Sequence, residues 1–179
     1  SELPGPHKET ELLQPKTVYG QQKLLAEQLC RQKCPDTVCL RLTWMYDRES
    51  NPGEHGHFLA TFRETLADET RPISWPVHDR RGITDVRYVV ENLPKALALP
   101  GGVYNFGCEN TASTHDTLKA VLEDLGWEKA LARLVPNEAA FSDCPRDISM
   151  DLTRLNAAGI RFPSTLEGLV LAMKKEETI

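Results

Sequence analysis

The feature that most limits how this chain can fold lies between residues 19 and 46, where a helical pattern runs directly into a strand pattern. Leu24, Leu25, Ala26 and Leu29 recur at helical spacing across residues 19–32, and Pro35 closes the segment. Residues 37–46 read Thr-Val-Cys-Leu-Arg-Leu-Thr-Trp-Met-Tyr, so one strand is expected, with Val38, Leu40, Leu42, Trp44 and Tyr46 on one face. A helix followed at once by such a strand is the second half of a βαβ unit, which implies a parallel sheet.

The rest of the chain continues the alternation. Residues 1–18, with Pro4, Gly5, Pro6 and Pro15, favour a surface loop, and polar residues 47–57, with Asn-Pro-Gly, read as a second. Phe58, Leu59, Phe62 and Leu66 mark a helix, and residues 73–77 a short strand. Thr84 or Asp85 caps a helix through Val86, Val89, Val90 and Leu93, which Pro94 is expected to kink or divide. Gly101-Gly102 turns the chain into a strand over 103–106. Ser113 caps a helix striped with Leu118, Val121, Leu122 and Leu125 and stopped by Gly126. Ser164 and Glu167 form a capping-box pattern before Leu166, Leu169, Val170 and Met173, with Lys174 and Lys175 suited to the helix dipole. The order is α/β. Introduced by a loop and a helix with no strand before them, it looks like the second part of a larger doubly wound fold.

Composition excludes several functions. The 179 residues are 40% hydrophobic and 26% charged, enough for one sizeable core. With 21 Lys plus Arg against 26 Asp plus Glu, the net charge of −5 disfavours a coat for nucleic acid or an anionic membrane, though not a single small phosphate ligand. No apolar run approaches the roughly 20 residues that span a bilayer, and the first residues lack the basic-then-apolar order of a signal peptide, so a cytoplasmic location is expected. Cys30, Cys34, Cys39, Cys108 and Cys144 form no Cys-x-x-Cys pair and are expected to be reduced thiols. Neither Cys30 with Cys34 nor His55 with His57 has the further ligands a metal site needs, so no metal is expected.

Tyr19-Gly20-Gln21-Gln22-Lys23 puts a phenol and an ammonium four residues apart, on one face at a helix start. A free tyrosine, with a pKa of about 10, is a poor proton donor at neutral pH. A neighbouring cation stabilises the phenolate, so that such a tyrosine can protonate a carbonyl oxygen as hydride reaches its carbon. Taken alone the spacing is common on amphipathic helices.

Its context is more specific. Gly5-Pro6-His7-Lys8-Glu9 followed by residues 15–27, Pro-Lys-Thr-Val-Tyr-Gly-Gln-Gln-Lys-Leu-Leu-Ala-Glu, resembles the active-site approach of extended short-chain dehydrogenases/reductases, most of all the dTDP-4-dehydrorhamnose reductases. Leu40-Arg41-Leu42-Thr43-Trp44-Met45-Tyr46 is similar to their Leu-Arg-Thr-Ser-Trp-Val-Tyr strand. Gly102-Val103-Tyr104-Asn105-Phe106 with Ser113, and residues 145–151 with Leu155 and Gly159-Ile160, resemble two further blocks, so the likeness covers essentially the whole chain.

The resemblance implies the C-terminal portion of a Rossmann-like doubly wound parallel sheet plus a small α/β substrate-binding region. Residues 1–46 would end the Rossmann-like domain, and 47–179 would be mostly substrate-binding, with returning Rossmann elements. It makes Tyr19 the acid/base, Lys23 the residue that holds the nicotinamide ribose of NADPH or NADH and lowers the phenol's pKa, Trp44 the platform for the substrate's sugar ring, and Arg146 a contact for its phosphates. The alternative for Arg146 is an ion pair with Asp143 or Asp147. Arg41 and Thr43 read as sheet-supporting polar residues, Arg80 and Arg81 as solvated loop residues with a diphosphate contact as the alternative, and Trp75 and Trp127 as packing residues. Cys144-Pro145-Arg146 replaces the reductases' Arg-Pro-Arg, and Ile83-Thr84 stands where they have Pro-Thr.

No Gly-rich strand–turn–helix for a dinucleotide pyrophosphate is present. In the resembling family that turn, most of the sheet and a catalytic Ser or Thr precede the position of Ser1, so the chain is expected to be the C-terminal part of a longer reductase and, alone, to be inactive. The expected partner is a nucleotide-diphosphate sugar, with neither nucleic acid nor membrane, and a homodimer is possible. The other reading is a non-catalytic module like the regulatory subunits of methionine adenosyltransferase, which resemble the same fold and keep Tyr-x-x-x-Lys; Trp44 favours the reductase.

Overall fold

A computed structural model describes residues 4–49 and 58–174. Along the chain run α1 (Val18–Lys33), β1 (Val38–Leu42), β2 (Trp44–Tyr46), α2 (Phe58–Ala67), β3 (Ile73–Pro76), β4 (Asp79–Arg80), β5 (Ile83–Asp85), α3 (Val86–Ala96), β6 (Gly102–Phe106), α4 (Thr114–Leu125), α5 (Glu128–Leu131), β7 (Leu134–Asn137), β8 (Arg146–Asp147), α6 (Thr153–Ala157) and α7 (Thr165–Lys174). Four parallel pairs form: β1 with β6, β2 with β5, β3 with β7 and β4 with β8. The parallel α/β architecture expected from the helix-to-strand junction is what the chain adopts.

The caps expected before α4 and α7 are in place, and Thr17 adds one before α1. Thr17 accepts from the Gly20 amide at the start of α1 (3.1 Å), and Ser113 accepts from the Asp116 amide at the start of α4 (3.0 Å). Ser164 and Glu167 exchange amide-to-side-chain bonds of 2.7 and 3.2 Å before α7. Gly126 ends α4 in the left-handed region at φ 68°, where a Cβ is disfavoured. Asp85, rather than Thr84, caps α3 by accepting from the Arg87 amide at 2.9 Å.

Two expectations change. α3 is not divided at Pro94, which sits in its last turn and has no amide to donate to the Val90 carbonyl; beyond it the Leu97 amide donates to the Leu93 carbonyl at 3.0 Å. The single strand over 37–46 is two strands. Thr43 falls between them, its hydroxyl bonded to the Thr84 hydroxyl at 2.5 Å, while Thr84 Oγ1 accepts from the Cys108 amide at 2.8 Å. Side-chain bonds here replace ladder bonds, and the chain passes from its β6 partner to its β5 partner. The face alternation breaks with it: Leu42 and Trp44 stand 43% and 45% exposed while Tyr46 is buried. Gly82 permits the crossing, because a Cβ there would lie 2.1 Å from the Cys108 carbonyl oxygen and 2.9 Å from Thr43 Cγ2.

Two hydrophobic clusters hold these pairs. Tyr46, Phe62, Ile73, Leu118 and Leu169 centre one, joining α2, α4 and α7 to β2 and β3. Tyr104, Phe106, Leu155 and Ile160 centre the other, joining β6 to α6. α1 has no buried residue, and Leu25 and Leu29 of its apolar stripe are exposed. It is held to β1 by the Arg41 guanidinium forked onto Glu27 at 2.8 and 2.9 Å, the sheet-supporting role expected of Arg41.

Candidate functional site

Tyr19 and Lys23 project from the first two turns of α1. The Lys23 ammonium lies 5.5 Å from the centre of the Tyr19 ring, and the phenol is 70% exposed. The helix start is seated under residue 15: a Cβ on Gly20 would meet Pro15 Cβ at 2.8 Å, and Gln21 Nε2 donates to the Pro15 carbonyl. Lys23 lines a cavity of about 310 Å³ together with Leu12, Pro15, Leu24, Glu27 and Arg41. The preceding loop is anchored rather than loose. The His7 amide donates to the Ser149 carbonyl and the Asp151 amide to the His7 carbonyl, while the Asn105 amide of β6 donates to Glu9 Oε1 at 2.9 Å.

Trp44 and Arg146 belong to a second assembly built on β2, β4 and β8. Asp79, 2% exposed, is its hub. Its carboxylate accepts from Arg81 Nη2 at 2.7 Å and Nε at 3.0 Å, and from Arg146 Nε at 3.1 Å. The Arg81 guanidinium lies 3.7 Å over the Trp44 ring, and the Arg146 guanidinium 3.5 Å over Phe141. Phe141 takes a positive φ of 64° beneath that stack.

The solvated pair expected of Arg80 and Arg81 is thus corrected for Arg81, which is 4% exposed because the Asp79 carboxylate two residues back meets its guanidinium. Burial lowers its pKa from the ordinary value, with the Asp79 carboxylate opposing. Neither acidic partner weighed for Arg146 is used. β8 pairs in register with β4, which presents Asp79 instead. Asp147 is engaged elsewhere: burial raises its pKa, but the Ser149 hydroxyl and the Gly5 and Ser149 amides outweigh this and hold the carboxyl below its ordinary value.

The structure therefore joins Trp44 to Arg146 through Arg81 and Asp79. No hydrogen bond or ring contact among the described residues joins Tyr19 and Lys23 to that network. Sequence reasoning missed Asp79; the signal was the spacing Asp-x-Arg, which in extended backbone sets both side chains on one side. Trp75 packs on Phe58 with ring centres 4.9 Å apart, as a packing residue should, and Trp127 packs against the same cluster. The five cysteines are free thiols, and no cluster of three or more His, Cys, Asp or Glu that could hold a metal occurs among the described residues. His55 and His57 lie outside those residues. No helix of the described residues is long and apolar enough to cross a membrane.

The chain matches the family described as RmlD substrate binding domain over residues 2–177. It is 29% identical over 161 residues to the spore coat polysaccharide biosynthesis protein SpsK of Bacillus subtilis, covering 87% of this chain and 53% of that protein. It is 24% identical over 168 residues to a dTDP-4-dehydrorhamnose reductase of Aggregatibacter actinomycetemcomitans, covering 86% and 55%. A crystal structure of dTDP-4-dehydrorhamnose reductase from Bacillus anthracis in complex with NADP superposes with a TM-score of 0.75 at 20% identity, over 97% of this chain and 60% of that one. The chain thus spans about half the length of the curated relatives it matches, and the superposition shows that its fold is the Rossmann-like one of that reductase.

Proposed function

The chain belongs to the RmlD substrate-binding domain family, and from that premise we propose that it forms the acid/base and substrate-binding part of an NAD(P)H-dependent reductase acting on a nucleotide-linked 4-keto-deoxysugar. The observation that carries the reading is the Tyr19 phenol, exposed on α1 with the Lys23 ammonium 5.5 Å from its ring. In this reading β1, α1 and the strand β6 that pairs with β1 belong to the Rossmann-like part, and the segments from α2 onward supply most of the substrate-binding region; the parallel β1–β6 pairing is compatible with it.

The residues present fit one end of the cofactor. Lys23, in the 310 Å³ cavity beside Tyr19, offers a cation to the hydroxyls of a nicotinamide ribose. NAD(P)H, when bound, supplies the hydride that reduces the sugar's C4 carbonyl carbon. Tyr19 then gives its hydroxyl proton to the carbonyl oxygen, and the Lys23 ammonium stabilises the phenolate left behind. The exposed part of the Trp44 indole offers an apolar platform to the C–H groups of a sugar ring. Arg146, whose side chain is 37% exposed, turns a charge-bearing planar fork toward the sugar nucleotide's diphosphate.

The test is consumption of NADPH or NADH by the full-length protein supplied with a dTDP-linked 4-keto-6-deoxysugar. Stoichiometric loss of reduced nicotinamide with formation of the 4-hydroxy sugar nucleotide is expected. Binding of the sugar nucleotide with no turnover under any cofactor would overturn the reductase reading in favour of a non-catalytic module.

A further inference from the structure

Asp79 presents one carboxylate to two guanidiniums, so the buried assembly carries one uncompensated positive charge. Arg81 is 4% exposed, so the charge is left to Arg146, the partner that reaches solvent. The three side chains are fixed from several directions. Arg81 is held by three bonds to the carboxylate, two from its Nε and one from Nη2, its carbonyl accepts from Asn110 Nδ2 at 2.9 Å, and the next residue is the closely packed Gly82. Arg146 uses only Nε on Asp79, at 3.1 Å, and lies flat on Phe141, so its terminal NH₂ groups are left for another partner. The Arg81 guanidinium backs the Trp44 ring at 3.7 Å, and Trp44 as a residue is 45% exposed.

We propose that Asp79 is a positioning residue that sets two ligand contacts at once: through Arg81 it fixes the plane of the Trp44 indole, and directly it fixes the outward orientation of Arg146. A sugar ring and the diphosphate attached to it are thereby registered against each other by a single carboxylate that touches neither. This rests on the assignment of Trp44 and Arg146 to a sugar nucleotide made above. Arg81 acts in it as a flat support and not as a phosphate ligand, because its side-chain hydrogen bonds go to Asp79.

The experiment measures, on the full-length protein, affinity for dTDP and for a dTDP-linked deoxysugar by calorimetry, so that their ratio isolates the sugar contact. Asp79→Asn should weaken dTDP about tenfold and also reduce the ratio, as expected when a charged pair's fork is broken. Arg81→Lys keeps a cation beside Asp79 but loses the flat face, and should reduce only the ratio, again about tenfold. Trp44 emission, read in full-length protein with Trp75, Trp127 and every tryptophan outside these 179 residues replaced by Phe, gives a ligand-free signature. Arg81→Lys should shift its maximum and raise its quenching by acrylamide, and this reading carries the proposal even if Asp79→Asn does not fold. Unchanged Trp44 emission with an unchanged ratio in Arg81→Lys overturns the proposal. If instead Trp44→Ala and Arg146→Met leave both affinities untouched while the emission shift is seen, the sugar-nucleotide assignment fails and the Asp79–Arg81–Trp44 coupling stands.

Discussion

Arg48 and Asp85 close the short ladder that carries Trp44, and their removal should be costly and strongly non-additive. The ladder itself is only Trp44–Tyr46 against Ile83–Asp85. Arg48, just beyond β2, donates from both Nε and Nη2 to Asp85 Oδ2, with side chains 9% and 0% exposed. Asp85 Oδ1 meanwhile accepts from the Arg87 amide and caps α3. Arg48→Met strands a buried carboxylate; Asp85→Asn keeps the cap acceptor but strands a buried guanidinium. Breaking a buried pair from one side costs about 3–5 kcal/mol, so each single variant should lose about that much. The double variant buries no charge and keeps the cap, and replacing such a pair whole is often close to neutral. Its loss should therefore be smaller than either single loss, giving a coupling of several kcal/mol by urea unfolding followed by circular dichroism, with an unchanged slope on denaturant. Single losses that add to within about 0.5 kcal/mol would refute the reasoning, since that is the behaviour of independent sites.

Thr84→Val removes the acceptor of the buried Cys108 amide and the partner of the Thr43 hydroxyl. It should cost about 1–3 kcal/mol, read as a melting temperature lower by about 2–4 °C per kcal/mol for a chain of this size. Burial pushes the Cys108 thiol up to about 12, with the Thr84 hydroxyl opposing, so native protein at about pH 8 should label at exposed Cys30, Cys34 and Cys144 but at Cys108 only after unfolding. Because that thiol is raised from the ordinary 9.0, the unfolded chain loses its proton first, and stability should fall as pH climbs from about 9 toward 12. The Ser164 amide, then its hydroxyl, hold the Glu167 carboxyl below its ordinary value. The capping box should accordingly persist down through the usual carboxylate range and fray only as pH falls through the lowered value, and Ser164→Ala should raise the carboxyl's midpoint by NMR titration.

Where structure is local, the residues announce it. Ser113 and the Ser164–Glu167 box each satisfy amides within three residues, so α4 and α7 start where their side chains say they must. The β1 pattern of branched residues is equally local, as is its parallel consequence. What stayed hidden depends on partners far away in sequence. β4 and β8 hold two residues each and exist because Asp79 meets Arg146 across 67 positions; neither segment shows periodicity. The break at Thr43 is likewise set by Thr84 and Gly82, which residues 37–46 alone do not reveal. Tyr19 and Lys23 were legible because helical spacing alone brings them together, whereas the support beneath Trp44 came from a carboxylate that pattern reading passed over.

The central claim is that Tyr19 delivers the proton. In the full-length protein, Tyr19→Phe should lower the single-turnover rate of 4-keto-sugar reduction by about 10²–10⁴-fold, the usual worth of a positioned acid. Affinity for reduced nicotinamide, measured on the same sample, should be nearly unchanged, because Lys23 is retained. A Tyr19→Phe protein that reduces the sugar at the parental rate would contradict the account.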